Sequence, residues 1–191
     1  MNRKRRGFTL AELLIVVAII AVLVAIAIPI FRKQLEKSRE AVDIHTMRTV
    51  ASLGQQFYYE GVHDEASATA AGMGWYGKGD KKGWNAFAAY DPSTGKFYKS
   101  WESYMAAGGK GYGKGTKVDG GTSVKGANGF DIYASKEDYT LAGCQVCIYP
   151  NADRPCIEVA WKEVKTGSRN WIGKGDDKGH AKYKYMIYLD E

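Results

Sequence analysis

The chain is expected to adopt an α+β fold, in which a long N-terminal helix packs on a C-terminal antiparallel β-sheet. Three observations point there. Between Phe8 and Phe31 the only ionisable side chain is Glu12. Helix-forming residues continue beyond Pro29 as far as Tyr59. After residue 130, β-rich runs alternate with turn signals.

The N-terminal apolar run covers positions 8–31, roughly 36 Å as a helix against about 30 Å of bilayer hydrocarbon. It is preceded by Arg3, Lys4, Arg5 and Arg6, a basic flank of the kind retained on the cytoplasmic side of a membrane. The next segment, FRKQLEKSREAVDIHTMRTVASLGQQFYYEG, contains no proline. In it Leu35, Val42, Thr46, Val50, Leu53 and Phe57 share a narrow arc at about 100° per residue. Arg32, Lys33, Glu36, Lys37, Glu40 and Asp43 fall mostly elsewhere, which places them on the solvent face. Pro29 removes one helical hydrogen bond and should kink or loosen the helix there. Gly61 is the expected stop.

The remainder is hydrophilic, since mean hydropathy is negative (−0.35) despite the first segment. Net charge is +6, too modest to be a strong nucleic-acid signal. Residues 61–129 form a Gly- and aromatic-rich region. Within it, YDPSTGKFY (90–98) reads as a turn between two extended arms, SWESYMAAGG (100–109) as a short helix opened by Ser100 and closed by Gly108, and 110–129 as a long surface loop. Strands are expected at FDIYA (130–134), YTLAGCQVCIY (139–149), CIEVAWKEV (156–164) and KYKYMIYLD (182–190), with PNADRP turning a hairpin.

The stretch GFTLAELLIVVAIIAVLVAIAIP resembles the prepilin signature of type IV pilins and of the pseudopilins of type II secretion. It combines a short basic leader, a Gly before a Phe, a Glu four residues later and a late proline. The resemblance covers about the first 40 residues. It implies a leader at 1–7, cleavage between Gly7 and Phe8 by a membrane aspartyl peptidase, and N-methylation of Phe8. It further implies a polymerisation helix at 8–31 and a soluble domain at 32–191, with the amphipathic half-helix at 32–60 and the sheet region at 130–191. The partners implied are further copies in a homo-oligomeric filament, the prepilin peptidase and a membrane assembly machinery. The precursor would span the cytoplasmic membrane once before entering an extracellular pilus or a periplasmic pseudopilus. Cleavage creates a cationic amine on Phe8, one helical turn from Glu12. The resemblance implies that Glu12 meets the amine of a neighbouring subunit and sets axial stagger. The simpler alternative is a Glu12 side chain that reaches the cytoplasmic interface by itself.

Competing readings start from other residues. Ala25-Ile26-Ala27 could end an ordinary secretory signal peptide, although the apolar run is longer than such regions usually are. Lysines interleaved with aromatics suit a single-stranded nucleic-acid surface on a minor pilin, but no arginine occurs between 62 and 129. WYGKGDKKG (75–83) and WIGKGDDKG (171–179) match at seven of nine positions. They read as two Gly-Asp turns or, side by side, as one Trp- and Lys-bearing patch. Gly72, Gly74 and Gly77 satisfy a dinucleotide-binding pattern without its strand–turn–helix context.

Cys144, Cys147 and Cys156 leave one thiol over after a single disulfide. Cys147 with Cys156 is favoured because a hairpin sets them on one face; Cys144 with Cys156 is the alternative. A metal site at these cysteines with His180, or at Asp176-Asp177, has neither a known spacing nor enough ligands. His45 and His63 have no neighbours suggesting catalysis. The expectation is a structural subunit without catalytic residues, cofactor or metal.

Overall fold

A computed structural model describes residues 8–79, 82–165, 170–175 and 180–190. Helix α1 runs from Leu10 to Tyr59, 50 residues and about 75 Å. It passes through Pro29 without a break; the missing Pro29 N–H leaves the Ala25 carbonyl without its helical donor. At its far end Gly61 turns the chain at φ 103°, a conformation glycine adopts at little cost.

Short elements follow. Helix α2 (Glu65–Ala70) is opened by an Asp64 cap. Strands β1 (Gly74–Tyr76), β2 (Asn85–Asp91) and β3 (Lys96–Tyr98) precede α3 (Trp101–Ala106), capped by Ser100. A long irregular segment then leads to β4 (Ala142–Tyr149), β5 (Cys156–Glu163) and β6 (Tyr185–Tyr188). All pairings are antiparallel, in the order β1-β2-β4-β5-β6, with β3 also pairing β2.

One face of the sheet packs on the second half of α1. Cys144, Val146 and Ile148 of β4 alternate inward, and Ile157, Val159 and Trp161 of β5 do the same. They meet Ile44, Met47, Val50 and Ala51 of the helix. Burying each large aliphatic side chain here contributes about 1.5–3 kcal/mol. Contact is closest at Gly54, where a Cβ would stand 2.8 Å from Val146 Cγ2 and 2.9 Å from Ile157 Cγ2.

Three expectations need correction, and two short elements add to them. FDIYA is not a strand: Ile132 N–H bonds to the Val124 carbonyl and Gly126 N–H to that of Phe130, so these residues close a small turn. Helix α2 and strand β1 were hidden in a stretch whose glycines masked both periods. The described parts of the two similar nonapeptides are not side by side. Trp75 lies on edge strand β1, whereas Trp171 pairs with Lys162 beyond β5 at the opposite edge; Asp80, Lys81 and residues 176–179 lie outside the described residues. Finally, the apolar arc faces the sheet only in its later part, where Val50 is buried and Leu53 and Phe57 pack on the core. Leu35 and Val42 are exposed, and Glu36, Glu40 and Asp43 are buried in their place.

Candidate functional site

Among the described residues the N-terminal half of α1 has no packing partner. Phe8 is 87% exposed, and Leu13, Ile15, Ile20, Leu23 and Ile26 are each more than half exposed. The helix is long and apolar enough to cross a membrane. An apolar surface of this extent marks a membrane or protein contact.

Its first turn is tied by a reciprocal cap. The Glu12 carboxylate accepts from both Thr9 N–H and the Thr9 hydroxyl at 2.8 Å, and Thr9 Oγ1 accepts from Glu12 N–H at 3.2 Å. Two backbone donors that a helix start leaves unpaired are thereby satisfied. Glu12 is therefore engaged within its own chain in the single subunit. The T-x-x-E spacing announces this cap, and reading Glu12 for its charge alone missed it. Gly7 lies outside the described residues, so the Gly7–Phe8 junction is seen only from the Phe8 side.

The second half of α1 holds a different constellation. Glu36, Glu40 and Asp43 are each 1% exposed and stand one helical turn apart on one face. They accept hydrogen bonds from a strap formed by residues 114–122. Asp43 takes Lys114 N–H at 2.8 Å, Gly115 N–H at 2.8 Å and the Tyr133 hydroxyl at 2.9 Å. Glu36 takes the backbone N–H and, at 2.9 Å, the hydroxyl of Thr116, and pairs with Arg39 at 3.2 Å. Glu40 takes Gly120 N–H, Thr122 N–H and the Ser135 hydroxyl at 2.9–3.2 Å. Buried carboxylates are tolerable only with such donors.

The glycines of the strap follow from this. A Cβ on Gly115 would run into the Tyr133 hydroxyl, and one on Gly120 into the Glu40 carboxylate. Burial pushes the Asp43 carboxyl above its usual value, against the lowering effect of Gly115, Lys114 and Tyr133. Burial, reinforced by Asp43, also raises the Tyr133 phenol. Carboxylates at i, i+4 and i+7 beside a glycine-rich loop were the available signal.

Register separates the cysteines. Cys147 lies opposite Glu158 and Cys156 opposite Tyr149, so the two are diagonal neighbours on the outer face, while Cys144 points into the core. All three are thiols. Burial raises Cys147 to about 12 and Cys156 to about 11, which keeps them protonated and weakly nucleophilic. Cys147 lines a cavity of about 30 Å³ with His180 and Glu158. Among the described residues no group of three or more His, Cys, Asp or Glu is placed to hold a metal; Asp176-Asp177 lies outside them. Gly72 and Gly74 connect α2 to β1, the reverse of the strand-to-helix order that dinucleotide binding requires.

A long N-terminal helix laid on an antiparallel sheet, with an unpartnered apolar half and a capped glutamate, is a pilin-like layout. Residues 2–28 match the family described as the prokaryotic N-terminal methylation motif. Over 59 residues the chain is 42% identical to the type IV major pilin protein PilA of Myxococcus xanthus (strain DK1622), a stretch covering 31% of this chain and 27% of that protein. The similarity thus spans about a quarter of that relative's length. No solved structure gives a match.

Proposed function

We propose that the chain is the structural subunit of a type IV pilus-like filament, made as a single-pass membrane precursor. Prepilin peptidase cuts between Gly7 and Phe8, Phe8 is N-methylated, and mature subunits polymerise through the 8–31 helix. Adhesion, motility or uptake would be properties of the filament. The observation that carries this reading is the exposed apolar half of α1, which begins at the methylation motif and has no partner among the described residues. In hydrocarbon or in a helical bundle that surface is covered. Glu12 would exchange its bond to Thr9 for the Phe8 amine of an adjacent subunit, which offsets the cost of a carboxylate in an apolar bundle. A pseudopilus subunit uses the same N-terminal device and is the alternative within this class.

The test is electron microscopy of a strain lacking the gene, complemented with wild type, Glu12→Val or Glu12→Gln. Wild type restores filaments. Glu12→Val gives a processed membrane subunit without filaments. Glu12→Gln keeps the capping geometry but not the charge, and also fails. Normal filament yield with Glu12→Gln would remove the role assigned to the charge.

On export, Cys147 and Cys156 are proposed to form the disulfide, leaving Cys144 as a thiol in the core. Peptide mapping under non-reducing conditions should show no bridge to Cys144.

A further inference from the structure

We infer that the strap at residues 114–122 forms, with the start of the soluble half of α1, a docking surface for anionic phospholipid headgroups. The inference rests on the membrane-spanning reading of residues 8–31.

The strap's contacts descend toward the membrane end of the helix. Lys114 and Gly115 bind Asp43, and Thr116 binds Glu36, about 10 Å lower along the axis. Residues 117–119 form the tip, after which the chain returns close to the helix. A side-chain carbon on Gly120 would stand 2.7 Å from the Lys37 backbone nitrogen, and one on Gly121 would stand 3.6 Å from Lys33 Cε. Lys33 is only two residues past Phe31, about 3 Å along the axis, and each headgroup layer is roughly 5–7 Å deep. Glu36 and Lys37, against which Thr116 and Gly120 rest, lie five and six residues past Phe31, about 8–9 Å along the axis, so the strap stands at the outer edge of the headgroup layer, within reach of the Lys33 side chain.

Its chemistry suits that position. Arg32, Lys33, Lys37 and Lys117 are exposed on this part of the helix and strap, and Val118, 45% exposed, is the tip's apolar residue. The carboxylates nearby are largely occupied: Glu36 and Glu40 are buried under the strap, and Asp119 pairs with Lys136 at 3.1 Å. Asp138 is near enough to Lys117 for the lysine to help lower its pKa. A cationic rim around an exposed valine, held at fixed height by buried carboxylates, matches a negatively charged lipid surface.

The full-length chain is reconstituted in phosphatidylcholine vesicles with or without phosphatidylglycerol, and lysines are labelled with a membrane-impermeant acylating reagent. Mass spectrometry then reads each site. Lys96 on β3 is the control, because Phe97 packs on Phe57 far up the helix. Phosphatidylglycerol should slow labelling of Lys33 and Lys117 roughly threefold or more and leave Lys96 unchanged, with the difference lost in high salt. Val118→Asp should weaken this protection without changing Lys96. Hydrogen exchange at residues 13–28 reports insertion independently. Protected helix amides with Lys117 labelled equally in both vesicles would overturn the docking surface alone. Exchange-competent helix amides would overturn the membrane reading and the docking surface with it.

Discussion

The two halves of α1 reverse the expected relation between polarity and burial. From Leu13 to Ile28 the side chains are apolar and exposed; from Glu36 to Asp43 three carboxylates are 1% exposed while Leu35 and Val42 face solvent. Burial in this molecule follows the partner on offer. The strap presents backbone N–H groups that need acceptors, and the second half of the helix supplies them. Nothing among the described residues offers the first half an apolar partner, so its surface stays open for a membrane or for other subunits.

If that contrast is sound, changing the first half should abolish assembly and leave folding intact, whereas changing the second should do the opposite. The largest effect is expected for Glu12→Val: filaments absent by microscopy, with circular dichroism of the soluble half unchanged. Next is Glu40→Ala. It strands Gly120 N–H, Thr122 N–H and the Ser135 hydroxyl, at a cost of about 2–3 kcal/mol, measurable by denaturant unfolding of the detergent-solubilised chain. Gly54→Val forces a branched side chain between Val146 and Ile157 and should cost about 1–3 kcal/mol in the same assay.

A smaller effect depends on pH. Asp43 is raised above 3.8 because burial opposes its ionisation. The folded chain binds that proton more readily than the unfolded chain. Ionised Asp43 therefore costs stability at neutral pH, and the cost shrinks as pH falls through its folded value. Asp64, Asp119 and Asp190 work the other way: Ser67, Lys136 and Arg154, respectively, hold them below 3.8. Their contribution is present above the usual carboxylate range and is lost in stronger acid. Unfolding of wild type and Asp43→Asn side by side isolates the first effect. The stability difference should shift in favour of wild type between neutral pH and about pH 4; a constant difference would show that Asp43 titrates as in the unfolded chain.

Much of this was legible in the sequence, and the reasons differ by element. The long helix, the β2–β3 turn, α3 and the β4–β5 hairpin carry local signals: an apolar run, Asp91 and Gly95 in the turn, Ser100 and Gly108 as caps, and alternating β-branched residues. At Val50, Leu53 and Phe57 the buried face of α1 follows the apolar spacing; between Leu35 and Asp43 it does not, because there it is chosen by a strap about 75 positions away that brings donors to Glu36 and Asp43. FDIYA has strand composition, yet Tyr133 is held by Asp43 and stacked on Tyr139 at 4.2 Å, so long-range contacts override local preference. At the candidate site, Phe8, Glu12 and Pro29 stood out by type and spacing. The Thr9 cap is equally readable, from the Thr-x-x-Glu spacing at the helix start.

The most direct measurement is mass spectrometry of the N-terminal peptide from the mature chain. A peptide beginning at Phe8 and carrying one methyl group is expected. A mature chain beginning at Ile28 would mean that the apolar segment is a discarded signal, and one retaining Met1 would mean that the leader is never cut; either contradicts assembly through the 8–31 helix.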